Sequence, residues 1–423
     1  MKKSILIILS LLSIFSYTRA QDFWEIVDPH KNVRAVDMSQ NGILYISGTD
    51  TLNQQVGVFK SSDGGDNWEW IWESPFDYAP TAIHSNENIV YLATQGNLIR
   101  SENQGQTWDT VYPENGRSIN NINTYQNQLF IGSKVVCRTI NNGQTWDTIF
   151  NPEQNEEYIY DMLHLSPDTM LVATINWVGP GGIYRSTNGG ETWDWVLEGC
   201  WKTSLEKTTD GVLFSGGYNC DQVPYHQVHA SYDSGETWEE VYSLFLLQVQ
   251  DMAITPNNVI YFGAIQGYAG INGMYRSFDY GDTWNQVESD IITPSSEVYE
   301  VEALPDGRMY VCANRNEPGV PGIENLHRTT DPLYTNVSEG KKTQKASLSV
   351  RPNPASEQAT FKRSSSNKAA ILNFYDVNGT LISQARFNKG QKQLRINVSD
   401  WSGGIYLARI VNQGNALVKF MVR

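Results

Sequence analysis

The sequence predicts an all-β chain made of repeated four-stranded units, with a separate small β domain at its C-terminal end. An octapeptide of the form Ser-x-Asp-x-Gly-x-Thr-Trp occurs six times, and its closing tryptophans are 40, 38, 47, 45 and 46 residues apart. Such a period indicates stacked supersecondary units. Between the octapeptides, apolar residues alternate over strand-length segments that are separated by turn residues. Aromatic residues make up 12% of the chain, which suits the half-buried surfaces of sheets.

Each octapeptide has the composition of a tight turn between two antiparallel strands. Its Ser or Thr and its Asp or Asn can bond nearby backbone N–H groups, while Gly adopts a positive φ. The closing Trp is a large apolar anchor for the strand that follows. The third position is occupied by Asp63, Asn103, Asn141, Asn188, Asp233 and Asp279. Because Asn replaces Asp in three copies, this position needs a capping side chain and not a charge, which predicts a structural role.

The six octapeptides resemble the Asp-box, or BNR, repeat of sialidase-like β-propellers. The resemblance implies a propeller whose box turns lie on its base, away from the cleft in which that family performs catalysis. Because propellers host many unrelated functions, the resemblance predicts the fold far more specifically than any activity.

The N-terminus predicts a secretory signal peptide over residues 1–20. Lys2-Lys3 precedes an apolar run from Ile5 to Phe15, and small residues precede Gln21. The run is too short to span a bilayer, and no later segment reaches membrane length, so no transmembrane segment is expected. The mature chain is therefore expected to begin at Gln21 and to be exported.

Residues 21–331 are predicted to form a seven-bladed β-propeller. Three strands follow the sixth octapeptide without a fourth, and residues 22–27 resemble the fourth strands of the earlier units. We therefore expect this N-terminal strand to complete the last blade, so that the ring has no unpaired edge. Sialidases of the resembled family have six blades, and the sequence departs from them here.

Residues 332–346 are predicted to be a solvated linker, and residues 347–423 to be a small C-terminal β-sandwich. This last segment resembles the C-terminal sorting domain of type A cargo of the bacterial type IX secretion system. The resemblance is carried by Pro352-Asn353-Pro354, Asn378-Gly379, Gly404-Ile405-Tyr406 and a basic end. It implies the type IX secretion machinery as a partner, and a secreted or cell-surface location reached through the periplasm.

Charge and cysteine content narrow the possible partners. Residues 21–331 contain 14 Lys and Arg against 42 Asp and Glu, whereas residues 347–423 contain 11 against 3. Because residues 21–331 are strongly acidic, they would repel the phosphate backbone of a nucleic acid, so a nucleic-acid partner is not expected. The spacing of the four cysteines does not fit zinc, and no metal or cofactor is predicted. A disulfide between Cys200 and Cys220 is the preferred pairing in an exported chain, whereas Cys137 and Cys312 suit buried thiols.

Function is predicted on the face opposite the octapeptide turns, where the later units have long loops. Rigid aromatic residues with scattered charged groups suit recognition of an extracellular glycan or protein. The candidate ligand-binding residues are Trp177, Trp201, Tyr218, Asp221, Tyr225, His226, Tyr268 and Arg315.

A glycoside hydrolase, sialidase-like or endoglucanase-like, is the alternative hypothesis. Inner-strand carboxylates could act as the acid and base of an inverting enzyme, and the candidates are Asp37, Asp161, Asp251, Glu300 and Glu302. Sialidases hold the substrate carboxylate with three arginines, the first in an Arg-Ile-Pro motif, and this motif is absent. The sequence therefore favours a binding propeller without catalysis.

Overall fold

The structure, a computed structural model, describes most of the chain after residue 23. The described residues are 24–28, 31–94, 96–113, 118–152, 157–177, 179–199, 201–218, 225–245, 248–265, 272–287, 292–293, 296–304, 307–314, 324–330, 348–364, 369–375, 381–410 and 417–423. The predicted signal peptide, the predicted linker and both Cys200 and Cys220 lie outside them.

The described residues form strands and no helix, which confirms the all-β prediction. The first half of the chain contains β1 Trp24–Asp28, β2 Lys31–Met38, β3 Leu44–Asp50, β4 Gln55–Ser61, β5 Glu69–Glu73, β6 Ala82–Asn86, β7 Ile89–Thr94, β8 Asn97–Ser101, β9 Asp109–Pro113, β10 Asn121–Tyr125, β11 Gln128–Gly132, β12 Val136–Thr139, β13 Asp147–Phe150, β14 Glu157–His164, β15 Met170–Asn176, β16 Gly181–Ser186 and β17 Asp194–Gly199. The second half contains β18 Trp201–Lys207, β19 Leu213–Tyr218, β20 Tyr225–Ser231, β21 Glu239–Phe245, β22 Gln248–Ile254, β23 Ile260–Ile265, β24 Gly273–Ser277, β25 Asn285–Val287, β26 Glu297–Ala303, β27 Met309–Asn314, β28 Glu324–Thr329, β29 Leu348–Arg351, β30 Gln358–Arg363, β31 Ala370–Tyr375, β32 Leu381–Phe387, β33 Gln393–Asn397, β34 Gly404–Ile410 and β35 Leu417–Val422. None of the described residues forms a helix long and apolar enough to cross a membrane.

Strands β2 to β25 pair as successive antiparallel sets of four, which we number as sheets 1 to 6. Sheet 1 is β2–β5, sheet 2 is β6–β9, sheet 3 is β10–β13, sheet 4 is β14–β17, sheet 5 is β18–β21 and sheet 6 is β22–β25. Sheets 4 and 5 are joined into one larger sheet through a single pairing, between Ile175 and Trp201. Within every set the strands follow each other in chain order, as expected for consecutive hairpins.

Sheet 7 combines the two ends of this region. Its strands lie in the order β26, β27, β28 and β1, so the N-terminal strand occupies the fourth position. Trp24 pairs with Thr329 and Glu25 pairs with Arg328. The Arg328 guanidinium lies 2.5 Å from a Glu25 carboxylate oxygen, and the Trp24 side chain is only 4% exposed. This is the pairing that the sequence predicts for the closing strand.

The first strands of the seven sheets lie side by side in a closed cycle. Each of β2, β6, β10, β14, β18 and β22 contacts the first strand of the next sheet, and β26 contacts β2. The hydrophobic core lies between neighbouring sheets. One cluster, for example, packs Tyr45 and Val58 of sheet 1 against Val90 and Leu92 of sheet 2. Each sheet is therefore covered by its two neighbours.

Residues 348–423 build two separate sheets around a core of their own. One sheet has the strand order β29, β30, β33, and the other has the order β32, β31, β34, β35. Phe361 of the first sheet packs edge to face against Phe374 and Phe420 of the second, with ring centroids 5.1 and 5.2 Å apart. These aromatic contacts hold the two sheets together.

Replacing Trp24 with Ala tests whether β1 holds sheet 7 together. Because truncation of a buried aromatic side chain costs about 3–5 kcal/mol, the Trp24→Ala protein should lose this much free energy of unfolding. Urea denaturation followed by circular dichroism measures the change. The partly exposed Trp70 is the matched control, and Trp70→Ala should cost about 1 kcal/mol or less. Equal stabilities of Trp24→Ala and the wild-type protein would contradict a closing role for β1.

Candidate functional site

The antiparallel order of each sheet divides the molecule into two faces. The turns between first and second strands, and the octapeptide turns between third and fourth strands, lie at one end, which we call the box face. The loops between second and third strands, and the connections from one sheet to the next, lie at the other end, which we call the loop face. A residue's position along its strand therefore assigns it to one face.

On the box face, all six octapeptide turns have the same hydrogen bonds. The Ser or Thr hydroxyl donates to Oδ1 of the Asp or Asn two residues later, over 2.7–3.0 Å. The same hydroxyl accepts from the N–H of the Gly, and Oδ1 also accepts from the N–H four residues beyond its own. Asp63, Asn103, Asn141, Asn188, Asp233 and Asp279 therefore make equivalent capping bonds whether or not they carry a charge.

Side chains next to these turns also connect one sheet to another. The indole N–H of Trp193 donates to the carbonyl of Ile149, in the fourth strand of the preceding sheet, over 2.8 Å. Gly105 has a φ of +93° and lies so close to Ile71 of the preceding sheet that a Cβ atom would clash. Gly65 meets Val27 of β1 in the same way, so β1 occupies the place that a fourth strand has in the other sheets.

On the loop face, the structure brings together three of the predicted ligand-binding residues. Trp177 lies in the loop after β15, Trp201 begins β18, and Tyr218 ends β19. The rings of Trp177 and Trp201 meet edge to face with centroids 4.5 Å apart, and Trp201 lies 5.6 Å from Tyr218. The Trp201 indole N–H donates to the carbonyl of Asn176 over 3.0 Å, which fixes the middle ring. Trp177 remains 62% exposed at the edge of this aromatic cluster.

The remaining predicted ligand-binding residues are not brought together by the described part of the chain. Asp221, Tyr268 and Arg315 lie outside the described residues. Tyr225 and His226 begin β20, where the backbone pairs His226 with Tyr218. These five assignments stay predictions.

A second aromatic group on the loop face was not predicted from the sequence as a site. Phe76 and Tyr78, in the connection from sheet 1 to sheet 2, stack in parallel with centroids 5.3 Å apart. Together with Trp72 and Arg34 they line a cavity of about 220 Å³. The sequence signal for this group is the aromatic-rich segment Trp72-Glu73-Ser74-Pro75-Phe76-Asp77-Tyr78.

The candidate catalytic carboxylates lie on the first strands, and four of them bond to the next sheet. The carboxylate of Asp37 accepts from the Ser85 N–H over 2.7 Å, and that of Asp161 accepts from the Leu205 N–H over 2.7 Å. Asp251 accepts from the Val301 N–H over 2.9 Å, and Glu300 accepts from the Val36 N–H over 3.1 Å. These oxygens are therefore engaged in joining sheets. For Glu302 no such bond to the next sheet is found among the described residues.

Burial raises the pKa values of several of these inner-strand carboxyl groups. Burial raises the pKa of Asp161 to about 7, and the charge of Asp251 adds to this effect. Burial also raises the pKa of Asp251 to about 6. For Glu302, burial and the charges of Asp37 and Asp251 raise the pKa to about 8. Glu206 on β18 is a sixth inner-strand carboxyl that was not predicted from the sequence, and its pKa is raised well above the ordinary value, mainly by burial.

A buried lysine follows the aromatic cluster and was also missed from the sequence. Lys202 is 1% exposed, and its ammonium nitrogen lies 3.4 Å from Nδ1 of His229. Burial lowers the pKa of Lys202 to about 8, and burial together with the Lys202 charge lowers that of His229. A single polar residue at the start of a strand carries no sequence signal for such burial. In the described part of the chain, no group of three or more His, Cys, Asp or Glu residues is arranged to hold a metal ion.

The raised pKa values predict that the protein becomes less stable as the pH rises. Unfolded carboxyls lose their protons near pH 4, whereas Asp251, Asp161 and Glu302 in the folded chain keep them until about pH 6 to 8. The folded state therefore binds more protons across this interval, so its stability falls with increasing pH. We expect the melting temperature to decrease between about pH 5 and about pH 8.5.

Replacing Glu302 with Gln should flatten this decrease, because one of the groups that retain protons is removed. The exposed Glu198 supplies the control, and Glu198→Gln should keep the wild-type profile. Differential scanning calorimetry at constant ionic strength measures both. A melting temperature that stays constant or rises over the same interval would contradict the assignment.

The comparisons with known structures concern the fold. YCF48 bound to D1 peptide has a TM-score of 0.52 at 15% identity, covering 74% of this chain and 98% of YCF48. An ancestral GH74 enzyme has a TM-score of 0.50 at 13% identity, covering 95% of this chain and 64% of the enzyme. Both are β-propeller proteins, and the chain has a β-propeller fold.

A comparison of sequences finds a relative with a known activity. Xyloglucanase Xgh74A of Acetivibrio thermocellus is 31% identical over 143 residues, which is 28% of this chain. The chain spans only 16% of the length of that enzyme. The similarity therefore covers only a part of each protein.

The C-terminal segment matches a family model. Residues 349–423 match the secretion system C-terminal sorting domain, in agreement with the resemblance found in the sequence. The chain therefore combines a β-propeller fold with a type IX secretion system sorting domain, which directs its export to the cell surface or the extracellular space.

Proposed function

We propose that this protein is an exported seven-bladed β-propeller that binds an extracellular glycan through its loop face. Sheets 1 to 7 would be the seven blades, the six octapeptides would be Asp-box turns, and residues 348–423 would be a small sandwich of the type A class. The observation that carries the proposal is the aromatic cluster of Trp177, Trp201 and Tyr218. Its outer ring is 62% exposed and is nevertheless held in a fixed position by its neighbour.

A pre-ordered, exposed tryptophan is suited to a sugar ring. Its flat apolar surface can cover the C–H face of a pyranose, while polar groups at the rim bond to the hydroxyls. Because Trp177 is braced by Trp201, little side-chain entropy is lost when a ligand binds. The stacked pair Phe76 and Tyr78, with its adjoining cavity, would give the loop face a second subsite for an extended chain.

Charge and similarity narrow the class of glycan. Residues 21–331 carry three times as many acidic as basic residues, so an anionic polymer would be repelled and a neutral polysaccharide is favoured. The partial similarity to a xyloglucanase supports a β-glucan-type backbone. YCF48, a protein of similar fold, has a structure with a bound peptide. The binding experiment must therefore distinguish a glycan from a peptide as the ligand of the loop face of this protein.

The binding proposal predicts that Trp177 is needed for ligand and not for stability. Removing an exposed side chain changes stability by less than about 0.5 kcal/mol, so Trp177→Ala should melt like the wild-type protein. Its affinity for xyloglucan or a related neutral polysaccharide, measured by isothermal titration calorimetry and affinity electrophoresis, should fall at least about tenfold, equal to 1.4 kcal/mol. Tyr218→Ala should weaken binding in the same direction.

Trp195 supplies the matched control. It is 40% exposed and stacks on Tyr184, but it lies in a fourth strand outside the loop-face cluster. Trp195→Ala should bind like the wild-type protein. Equal loss of binding in Trp195→Ala and Trp177→Ala, or binding of peptides with no polysaccharide bound, would refute a glycan site at the cluster.

A glycoside hydrolase is the second candidate, because the sequence relative with a known activity is a xyloglucanase. Four of the five predicted catalytic carboxylates are engaged with neighbouring sheets, so Glu302, with its pKa raised to about 8, is the one of the five that remains as a proton donor. If the protein is an enzyme of this kind, it should release reducing sugar from xyloglucan, and Glu302→Gln should abolish the release while preserving binding. Binding without release of reducing sugar supports the first proposal.

A further inference from the structure

A second surface, on the box face, is independent of the proposed glycan site. The sorting domain touches the propeller there, at the octapeptide turns of sheets 5 and 6. Ile371 is the second residue of β31, and its side chain points away from the sorting domain's own core, which takes the alternate residues Ala370, Leu372 and Phe374. Ile371 is fully buried and belongs instead to a cluster with Phe214, Tyr232 and Tyr280 of the propeller. The burial of this isoleucine therefore depends on contact between the two parts.

Basic side chains surround this apolar contact. Arg386 pairs directly with Ile371 across β31 and β32, so the two side chains share one face of the sheet. Its guanidinium lies 3.5 Å from carboxylate oxygens of both Asp233 and Glu239, and 3.2 Å from the Thr237 hydroxyl. The same group lies 5.6 Å from the centre of the Tyr232 ring, within the range of a cation–π interaction.

The sorting domain and the propeller also carry opposite net charges. Residues 347–423 have eight more basic than acidic residues, whereas residues 21–331 have 28 more acidic than basic ones. Arg409 lies opposite Asn373 on β34, on the same face as Ile371 and Arg386. Its charge acts on Tyr280, whose pKa burial raises above the ordinary value. Attraction between opposite charges therefore supports this orientation.

The turn of sheet 5 differs in sequence from the other five in a way that fits Arg386. In this turn the aromatic residue Tyr232 precedes the capping residue, which is the carboxylate Asp233, and the acidic residue Glu239 follows the tryptophan. The residues that stand at the position of Tyr232 in the other turns are Ser62, Glu102, Ile140, Thr187 and Phe278. The one other aromatic, Phe278, is accompanied by Asn285 where sheet 5 has Glu239. A site for one guanidinium is thus present at this turn.

We infer that the face of β31, β32 and β34 is a docking surface by which the sorting domain binds the box face of sheets 5 and 6 in the same chain. Ile371 supplies the apolar contact and Arg386 the charge that selects the fifth turn. Because the loop face lies at the opposite end of the sheets, docking leaves the aromatic cluster open while the sorting domain is attached. Loss of the sorting domain would uncover Tyr232 and its apolar neighbours.

Zero-length cross-linking tests this contact in the full chain. In an Arg386→Lys protein, carbodiimide should join the amine at position 386 to Asp233 or Glu239, and mass spectrometry of peptides should identify the bond. Arg351→Lys is the control, because Arg351 lies on the other sheet of the sorting domain and should give no bond to these residues. Absence of a cross-link from position 386, or an equal yield from position 351, would overturn the inference.

Small-angle scattering tests the apolar contact. Ile371→Arg should undock the sorting domain and increase the radius of gyration by roughly 3 Å or more over the value of about 22 Å expected for a compact chain of this length. Ile382, 41% exposed on β32, is the control, and Ile382→Arg should keep the wild-type value. Arg386→Glu should also expand the chain, and adding Glu239→Arg should restore part of the compactness. A wild-type radius as large as that of Ile371→Arg would overturn the inference, since the domains would then be separate already.

Discussion

The fold depends on a ring of hydrogen bonds that join the first strands of neighbouring sheets. The backbone pairs strands mainly within sheets. Among the described residues it also joins sheets 3 and 4, through the bond from the Ile159 N–H to the Ser133 carbonyl, and sheets 4 and 5, at Ile175 and Trp201. Side chains add a link at each junction. Asp37, Asp161, Asp251 and Glu300 supply four of the links. The other three junctions are joined by His84 to Thr124, by Asn123 to the Met162 carbonyl and by Thr203 to the Val249 carbonyl. Every junction around the cycle therefore has a polar link near the centre.

This use of carboxylates explains why acidic residues on inner strands do not by themselves indicate catalysis. A carboxylate that accepts a backbone N–H from the next sheet satisfies a donor that would otherwise be buried without a partner. Burying several carboxyl groups near the centre costs free energy, mainly because the charged form loses its contact with water and in part because neighbouring carboxylates repel it. The pKa values of Asp161 and Glu302 are raised for these reasons. Partial protonation reduces the repulsion, so the same arrangement makes the ring sensitive to pH.

The two faces of the ring are suited to different tasks. On the box face, turns with the same hydrogen bonds connect sheets through Trp side chains and through the close approach of Gly to the preceding sheet, and the turns of sheets 5 and 6 also meet the sorting domain. On the loop face, the connections differ in length and composition from sheet to sheet, as is usual where recognition varies on a constant scaffold. The exposed ring of Trp177 and the stacked pair of Phe76 and Tyr78 both belong to this variable face.

The sequence by itself determined the repeated elements, because their signals are local. Alternating apolar residues and six octapeptides predicted the strands and turns, and the motifs from Pro352 to Tyr406 predicted the sorting domain, which a family model confirms. Only the tertiary structure decided which distant side chains meet. It brought Trp177 to Trp201, Asp161 to Leu205 and Arg386 to Asp233, pairs whose members are 24 to 153 positions apart in the sequence. It also buried Lys202, although the strand pattern around that residue does not distinguish it. Such contacts depend on how whole sheets pack, and a pattern that extends over one strand carries no information about the neighbour it will face.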